Sequence, residues 1–373
     1  MERLPEDCLT LIFQKLDCCS DRDSLGLTCR QWLNIQNLNR RSLQFQCSLS
    51  FLHPSSFKHT MNVSPHHLHR LLSRFQHLRS LSLSGCTELT DSSLSQLKIN
   101  GAHLSSLFLD CCFSISDGGF DAISQSCSSL KILSLYRCFI TDNALQSLSK
   151  RCVLLTHLNL AHCGNITDVG IDSIITGSRQ IRSIKLSFCR GITLKTLSNP
   201  SPSLTFIDAE ACPLSSGGLT SVFKGGGIEV LNLAGVVSPF SGERLTAITR
   251  LRVLNMRMCK GVSDDFVKEI AKGITVLEEW NLALCNEVHF QGWEAIGAEC
   301  KNLQKLHLNR CRNLCDSGLR KISDGCRKLT ALYVNKNGRL FTTVSIELFR
   351  LSRPYVAIKD EEVLFIGPDW IDV

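Results

Sequence analysis

What the 373-residue chain lacks sets the first limits. No apolar run approaches the roughly 18–20 residues that cross a bilayer as a helix. The opening MERLPEDCLT carries acids where a secretory leader would have its apolar segment. No block of lysine and arginine concentrates the net charge of +7, so a mixed solvated surface is expected rather than a nucleic-acid footprint. No nucleophile–base pair, phosphate-cradling loop or metal-ligand set stands out, which argues against an enzyme and against any cofactor or metal. The expectation is a protein of the nucleus or cytoplasm, without membrane or nucleic-acid contacts, whose thiols stay reduced. Two glycosylation patterns, Asn62-Val63-Ser64 and Asn165-Ile166-Thr167, carry no weight there.

Cysteine, by contrast, is abundant: 20 residues. Aligning the chain on Cys163 shows why. The phrase LTHLNLAHCGNITD (155–168) recurs as LRSLSLSGCTELTD (78–91), LSSLFLDCCFSISD (104–117), LKILSLYRCFITD (130–142) and LRVLNMRMCKGVSD (251–264). Further copies start at 181, 204, 228, 277 and 303, and a worn one at 329. The spacing is mostly 25–26 residues and shortens to 23–24 for the copies starting at 181, 204 and 228. A fixed period of this size signals a solenoid, and it overrides the length-based expectation of two or three domains of about 100–200 residues.

Each copy reads as one strand and one helix. Leu158 and Leu160 alternate with Asn159, as a half-buried strand requires. Ile171 and Ile174 lie three apart on one helical face, as do Phe120 and Ile123, and Leu319 and Ile322. Asp168 and its equivalents Asp91, Asp117, Asp142, Asp264 and Asp316 stand where a helix N-cap is wanted. Strands stack about 4.8 Å apart and helices about 10 Å, so the expected stack curves with its strands on the concave face and its helices on the convex face. The pattern resembles the cysteine-containing leucine-rich-repeat family from about Leu78 to Lys328. The implied fold class is α/β: a horseshoe-shaped solenoid.

The cysteines then read as structural. Nine copies place one at the same position, and the copy starting at 228 has Val236 instead, which marks the site as a small apolar filler. A thiol there can also satisfy backbone groups where the chain turns off the strand. Disulfides between neighbours are not expected, since β-carbons one strand apart lie about 4.8 Å from each other, beyond the usual separation of about 3.5–4.5 Å. Cys127, Cys152, Cys300 and Cys326 fall at helix ends, again as packing. Cys311 and Cys315 form a lone CxxxC, not the paired motifs of a zinc site. The histidines His53, His59, His66, His67 and His69 suggest a metal, but SPHHLHRLLSRFQHL reads better as a helix with Ser64 as N-cap and Leu68, Leu71, Leu72 and Phe75 buried. With residues 42–49 as a strand, it makes a degenerate capping repeat.

Residues 4–37 do not repeat. Leu9, Ile12, Phe13 and Leu16 form a helical stripe, and a second helix restarts at Asp21–Asp23 with Leu25, Leu27, Cys29 and Trp32 apolar. A segment of some 40 residues has too little core to be stable alone, so part of this surface meets the repeats or a second protein. The segment resembles an F-box through Leu4-Pro5, Ile12-Phe13, Leu16 and Cys29-Arg30-Gln31-Trp32. The DRDSLGLTCRQW run is especially similar to F-boxes of plant F-box/leucine-rich-repeat proteins, with Cys8 and Thr28 as mild departures. The resemblance implies a non-catalytic substrate-recognition subunit of a Skp–cullin–F-box ubiquitin ligase. Leu4, Pro5, Leu9, Ile12, Phe13, Leu16, Leu25, Cys29 and Trp32 would face the Skp-type adaptor, itself bound to a cullin. The alternative is a repeat scaffold that acts outside a ligase. The expected domains are an F-box at 1–40, a capping repeat at 41–77, repeats at 78–353 and a C-terminal cap at 354–373.

The strand positions between the leucines mark a binding face for a substrate protein. Phe108, Tyr136 and Arg137 form an aromatic region in the early copies. Later, Arg252, Arg257, Lys305, His307 and Arg310 form a basic one, suited to an acidic or phosphorylated segment. Glu278 and Glu279 lie between them as candidate internal partners. The copies starting at 181, 204 and 228 carry NPSPS (199–203) and KGGG (224–227) and lack the aspartate, so shorter or irregular helices are expected. The tail IKDEEVLFIGPDWIDV (358–373) is read as a cap over the last repeat's exposed core.

Overall fold

The computed structural model describes residues 4–16, 18–45, 63–195, 202–224, 227–237, 249–335 and 340–371. The chain forms two compact units, Met1–Leu155 and Thr156–Val373. The first begins with three helices, α1 (Glu6–Gln14), α2 (Cys19–Thr28) and α3 (Arg30–Asn39), then alternates β1 (Ser42–Gln44), α4 (Pro65–Arg74), β2 (Ser80–Ser82), α5 (Asp91–Leu94), β3 (Ser106–Phe108), α6 (Asp117–Ser126), β4 (Ile132–Ser134) and α7 (Asp142–Arg151). The expected second helix is therefore two. Cys29 breaks it, with extended backbone at φ −160° and ψ 167°, and serves as the N-cap of α3. Leu9, Phe13 and Ile35 form the core of the helical module, with Leu16, Leu25 and Trp32 packed against it. At Gly26 a side chain would collide with Gln36, so glycine lets α2 lie directly on α3.

The strands β1 to β4 pair in parallel and in register, aligning Leu43, Leu81, Leu107 and Leu133 as one buried ladder. In α4, Ser64 caps by accepting the His67 N–H at 3.3 Å, and Leu68, Leu72 and Phe75 are buried. His66, His67 and His69 are exposed, while His53 and His59 lie outside the described residues. Among the described residues no cluster of His, Cys, Asp and Glu could hold a metal. Arg74 donates to Asn37 at 2.6 Å and to Gln36 at 3.3 Å, fastening α3 to α4.

The second unit contains β5 (His157–Asn159), α8 (Asp168–Gly177), β6 (Ser183–Lys185), β7 (Phe206–Asp208), α9 (Ser216–Lys224), β8 (Val230–Asn232), β9 (Val253–Asn255) and α10 (Asp264–Gly273). It continues with β10 (Glu279–Asn281), α11 (Phe290–Glu299), β11 (Lys305–His307), α12 (Asp316–Gly325), β12 (Ala331–Tyr333), α13 (Thr343–Ser352) and β13 (Ala357–Lys359). Its nine strands also pair in parallel, each with the next. Trp280 takes the leucine position of β10 and is fully buried. Among the anomalous copies, α9 starts at Ser216 with no acidic residue in its first turn and is described as far as Lys224. Asn199 to Ser201 and Gly225–Gly226 lie outside the described residues.

Two hydrogen-bond systems close each copy onto its neighbours. The residue before the repeat cysteine adopts a left-handed conformation: φ is +58° at Cys111, +62° at Phe188 and +63° at Leu284. Glycine supplies the same turn without Cβ strain at Gly85 and Gly235. The turn aims its N–H at the following copy, as from Phe188 to Glu210 O and from Leu284 to Asn309 O. The cysteine thiol donates the other way, to the strand end of the preceding copy. Cys112 reaches Leu83 O at 3.2 Å, Cys189 reaches Leu160 O at 3.1 Å and Cys285 reaches Met256 O at 3.1 Å. The thiols thus act as donors as well as filler, and every cysteine whose side chain the structure describes is unbridged.

The aspartates do not cap their own helices. In four of these helices the preceding residue does, with the hydroxyls of Ser116, Thr141, Thr167 and Ser263 accepting helical N–H groups, while Cys315 before Asp316 makes no such bond. The aspartate occupies the first helical turn, and its carboxylate reaches one copy onward. Asp91 accepts the Ser116 N–H at 2.7 Å, Asp168 accepts Thr193 N–H at 2.8 Å and Leu194 N–H at 2.9 Å, and Asp264 accepts His289 N–H at 2.7 Å. Serine or threonine is the better N-cap here because its short side chain bends back to the helix, leaving the aspartate free to face its neighbour.

The tail also departs from expectation. Only β13 extends the last repeat, while Val344, Leu348, Leu351 and Tyr355 on and beside α13 stay exposed. The chain after β13 turns back over the strands instead of covering that helix, because the asparagines of the strand face bind its main chain.

Two stability measurements check these roles. Asp168→Ala should cost about 1.5–3 kcal/mol in denaturant unfolding, since it removes a charged acceptor of several N–H groups. Asp121→Ala, on the exposed side of α6, should stay within about 0.5 kcal/mol. Cys285→Val should be milder than Cys285→Ala, because valine keeps the packing that alanine loses.

Candidate protein-interaction surfaces

On the helical module, burial sorts the expected adaptor-facing residues. Leu4 and Ile12 are 53% and 43% exposed, and Pro5 and Cys29 are also exposed. Leu9 and Phe13 are not available: both lie in the core, one helical turn apart. The Ile12-Phe13 pair cannot share a face, since neighbouring helical residues project about 100° apart. Leu16, Leu25 and Trp32 are half-buried supports of that core. Sequence reasoning left out Leu11 and Leu38, and it gave Leu27, 86% exposed, only as an apolar residue of the second helix. Once Leu9 and Phe13 are fixed inward, helical periodicity alone turns Leu11 and Ile12 out.

Cys29 is exposed between α2 and α3, two residues beyond Leu27. The Trp32 N–H at the start of α3 holds its thiol below the usual range, and the Ser20 hydroxyl does the same for Cys18. Burial pushes Cys112, Cys189 and Cys311 up to about 12.

On the strand face of the first unit, Phe108 and Tyr136 are half-buried and Arg137 is exposed, its guanidinium 5.8 Å from the Tyr136 ring centre. Asp110 organises this region by accepting from the Ser134 hydroxyl and from the Tyr136 N–H at 2.9 Å. Burial pushes its carboxyl up despite those bonds.

The basic residues all belong to the second unit, and none of them forms an open patch. Arg252 pairs with Glu278 at 2.8 Å, and Lys305 with Glu279 at 3.3 Å. His307, only 1% exposed, lies between Glu279 at 2.9 Å and the stacked Tyr333 ring, 4.0 Å centre to centre. Flanking strands sandwich it, so it is not a surface contact. Burial raises the Glu279 carboxyl, but His307 and Lys305 outweigh this and hold it below its ordinary value. Arg257 and Arg310 do converge on a carboxylate, and it is the chain's own: Glu362 in the tail, 2.5 Å from Arg310 and 4.0 Å from Arg257.

Residues 360–371 cross this strand face. The Asn309 amide donates to Asp360 O and Glu361 O, both at 3.3 Å, that of Asn281 to Val363 O at 3.2 Å, and that of Asn255 to Leu364 O at 3.1 Å. Phe365 packs near Phe206 with the Lys185 ammonium 5.2 Å from its ring centre, and buried Trp370 meets His157 edge-on. A groove of about 920 Å³ runs between the tail at Val363–Pro368 and the strand starts at Arg252, Glu278 and Lys305.

The geometry defines a helical module with exposed apolar side chains, joined to strand–helix repeats closed by cysteine. The F-box domain model matches residues 1–43, and the leucine-rich repeat model matches residues 76–97 and 151–174. F-box/LRR-repeat protein 12 of Arabidopsis thaliana is 51% identical over 373 residues, covering 98% of this chain and 94% of that one. The chain belongs to the F-box/leucine-rich-repeat family. Among solved structures, an internalin of Listeria monocytogenes shares the fold at a TM-score of 0.53 and 17% identity, covering 84% of this chain and 93% of that one. The crystal structure of the Rad7 and Elc1 complex in yeast overlaps more loosely, at a TM-score of 0.49 and 18% identity, covering 99% of this chain and 94% of that one.

Iodoacetamide at neutral pH should therefore modify Cys29 and Cys18 in the native chain and spare Cys112, Cys189 and Cys311. Labelling at Cys29 should begin below the usual thiol range of about pH 8.5. Peptide mapping by mass spectrometry reads the pattern, and labelling of Cys311 in the folded chain would contradict the burial.

Proposed function

We propose that the chain is a substrate-recognition adaptor of a Skp–cullin–F-box ubiquitin ligase, acting without catalytic residues of its own. The observation that carries this is the set of exposed apolar side chains, Leu4, Leu11, Ile12 and Leu27, on a module whose core is already complete. Apolar side chains left out of a finished core mark a contact with another protein, and the F-box match makes a Skp-type adaptor its natural occupant. Through that adaptor the chain would meet a cullin, and the strand faces would hold the protein to be ubiquitinated. Reduced thiols serving as hydrogen-bond donors suit the nucleus or cytoplasm, where we place it.

The test is capture of a Skp-type adaptor by full-length chain and by the triple variant Leu4→Ala, Ile12→Ala, Leu27→Ala. Each buried side chain contributes about 1.5–3 kcal/mol, so the variant should lose at least about a hundredfold in affinity. Binding should also slow iodoacetamide labelling of Cys29 in the wild type. Unchanged capture by the triple variant would overturn the docking surface and favour a scaffold outside the ligase.

A further inference from the structure

The tail's contacts have the form of a bound peptide. Asn255 and Asn281 each use the side-chain oxygen to accept an N–H of their own strand end, from Arg257 at 3.2 Å and Ala283 at 3.0 Å. That fixes the amide orientation and turns the NH2 group outward. With the tail in place both side chains are at most 1% exposed, so the outward donor is shut off from water and is answered by what covers it. In the resting chain it is a main-chain carbonyl of the tail. Bonds to main-chain carbonyls do not depend on the sequence of what is bound; they require only carbonyls turned toward the strands.

Specificity comes from the positions between. The paired arginines Arg257 and Arg310 receive a carboxylate, the Phe206 and Lys185 side chains receive an aromatic ring, and His157 receives a second one. Gly367, with φ +88°, sits where a Cβ would approach Val253 and Val230 within 3.2–3.3 Å. The span agrees with a segment that runs across the strands, with bends at residues 364–365 and 367–368. From Asn309 on β11's copy to His157 on β5 is six strand spacings, roughly 29 Å, and ten residues from Asp360 to Trp370 reach roughly 33 Å.

We propose that this strand face is a binding groove for an acidic–aromatic peptide laid across the strands, with a glutamate three residues before a phenylalanine and a tryptophan five residues further on. The tail is its resident occupant, and a segment of the same class in the substrate replaces it. The substrate half of this inference rests on the adaptor reading; the groove and its ligand class do not.

The probe is a fluorescein-labelled peptide with the sequence of residues 360–371, and the readout is anisotropy with purified full-length chain and no adaptor present. The variant Glu362→Arg, Phe365→Ala, Trp370→Ala loosens the tail in cis and should bind the probe. The wild type should bind it at least about tenfold more weakly, because its own tail competes at high effective concentration. Adding Arg257→Glu and Arg310→Glu to the tail variant should abolish binding, and a probe carrying Glu362→Lys should recover it. Equal binding by wild type and tail variant, or no binding by a tail variant of unchanged Tm, would overturn the proposal. So would a tail variant that unfolds and captures nothing, since the tail would then be a brace. An independent measurement uses the wild type alone: excess unlabelled peptide carrying Trp370→Phe should shift the chain's tryptophan emission to the red as Trp370 enters solvent, and no shift would count against displacement. Adaptor capture is scored separately, so the groove can fail while the ligase reading stands, and the reverse.

Discussion

The turn that ends each strand cannot satisfy its own main chain. Its left-handed residue points an N–H out of one copy and into the next, while the strand-end carbonyl behind it, already bonded to the cysteine N–H of its own turn, takes the thiol of the copy in front as a second donor. A buried polar group without a partner costs about 1–3 kcal/mol, so a copy alone is unstable on polar grounds as well as apolar ones. The turn N–H and the aspartate carboxylate are two answers to one requirement, placed at the turn and the helix start, and the thiol adds a second donor to a strand-end carbonyl that its own turn already bonds. The parallel register and the buried leucine ladder follow once those bonds are made.

The same requirement reappears on the open side of the second unit. Asn255 and Asn281 are drawn inward by their own turns, and that leaves donors which the repeats cannot answer. The tail answers them. A rigid face with committed donors is pre-organised for backbone recognition, which lowers the ordering cost of binding. The basic residues around it are likewise committed, Arg252 to Glu278, Lys305 to Glu279, and Arg257 and Arg310 to Glu362 of the tail.

The solenoid was legible because its signals are local and repeated. Leucine alternation, a cysteine at a fixed offset and Val236 in a cysteine's place all lie within a few residues of one another. Asp168 was misassigned because Thr167-Asp168 offers two capable caps, and nothing local reveals that one carboxylate bonds Thr193 instead. Ile12 and Phe13 were joined by adjacency, although a helix separates neighbours. The convergence of Arg257 and Arg310 could be read from the period, but their partner could not. Glu362 lies in a segment with no repeat, and its position depends on amides that are distant in sequence, as Leu364 is from Asn255.

The short copies carry one more consequence. Ile184 to Cys189, Ile207 to Cys212 and Leu231 to Val236 cover the same five steps as Leu158 to Cys163, although these copies are the compressed ones. All of the lost length comes from the segment after the cysteine, on the helical side. The strand and its turn therefore act as a fixed gauge, and the remainder as slack. Insertions and deletions between relatives should accumulate in that slack, where they alter the outer surface without shifting the row of side chains that meets a ligand. Lineages can remodel the back of the molecule while the reading frame of its front is kept.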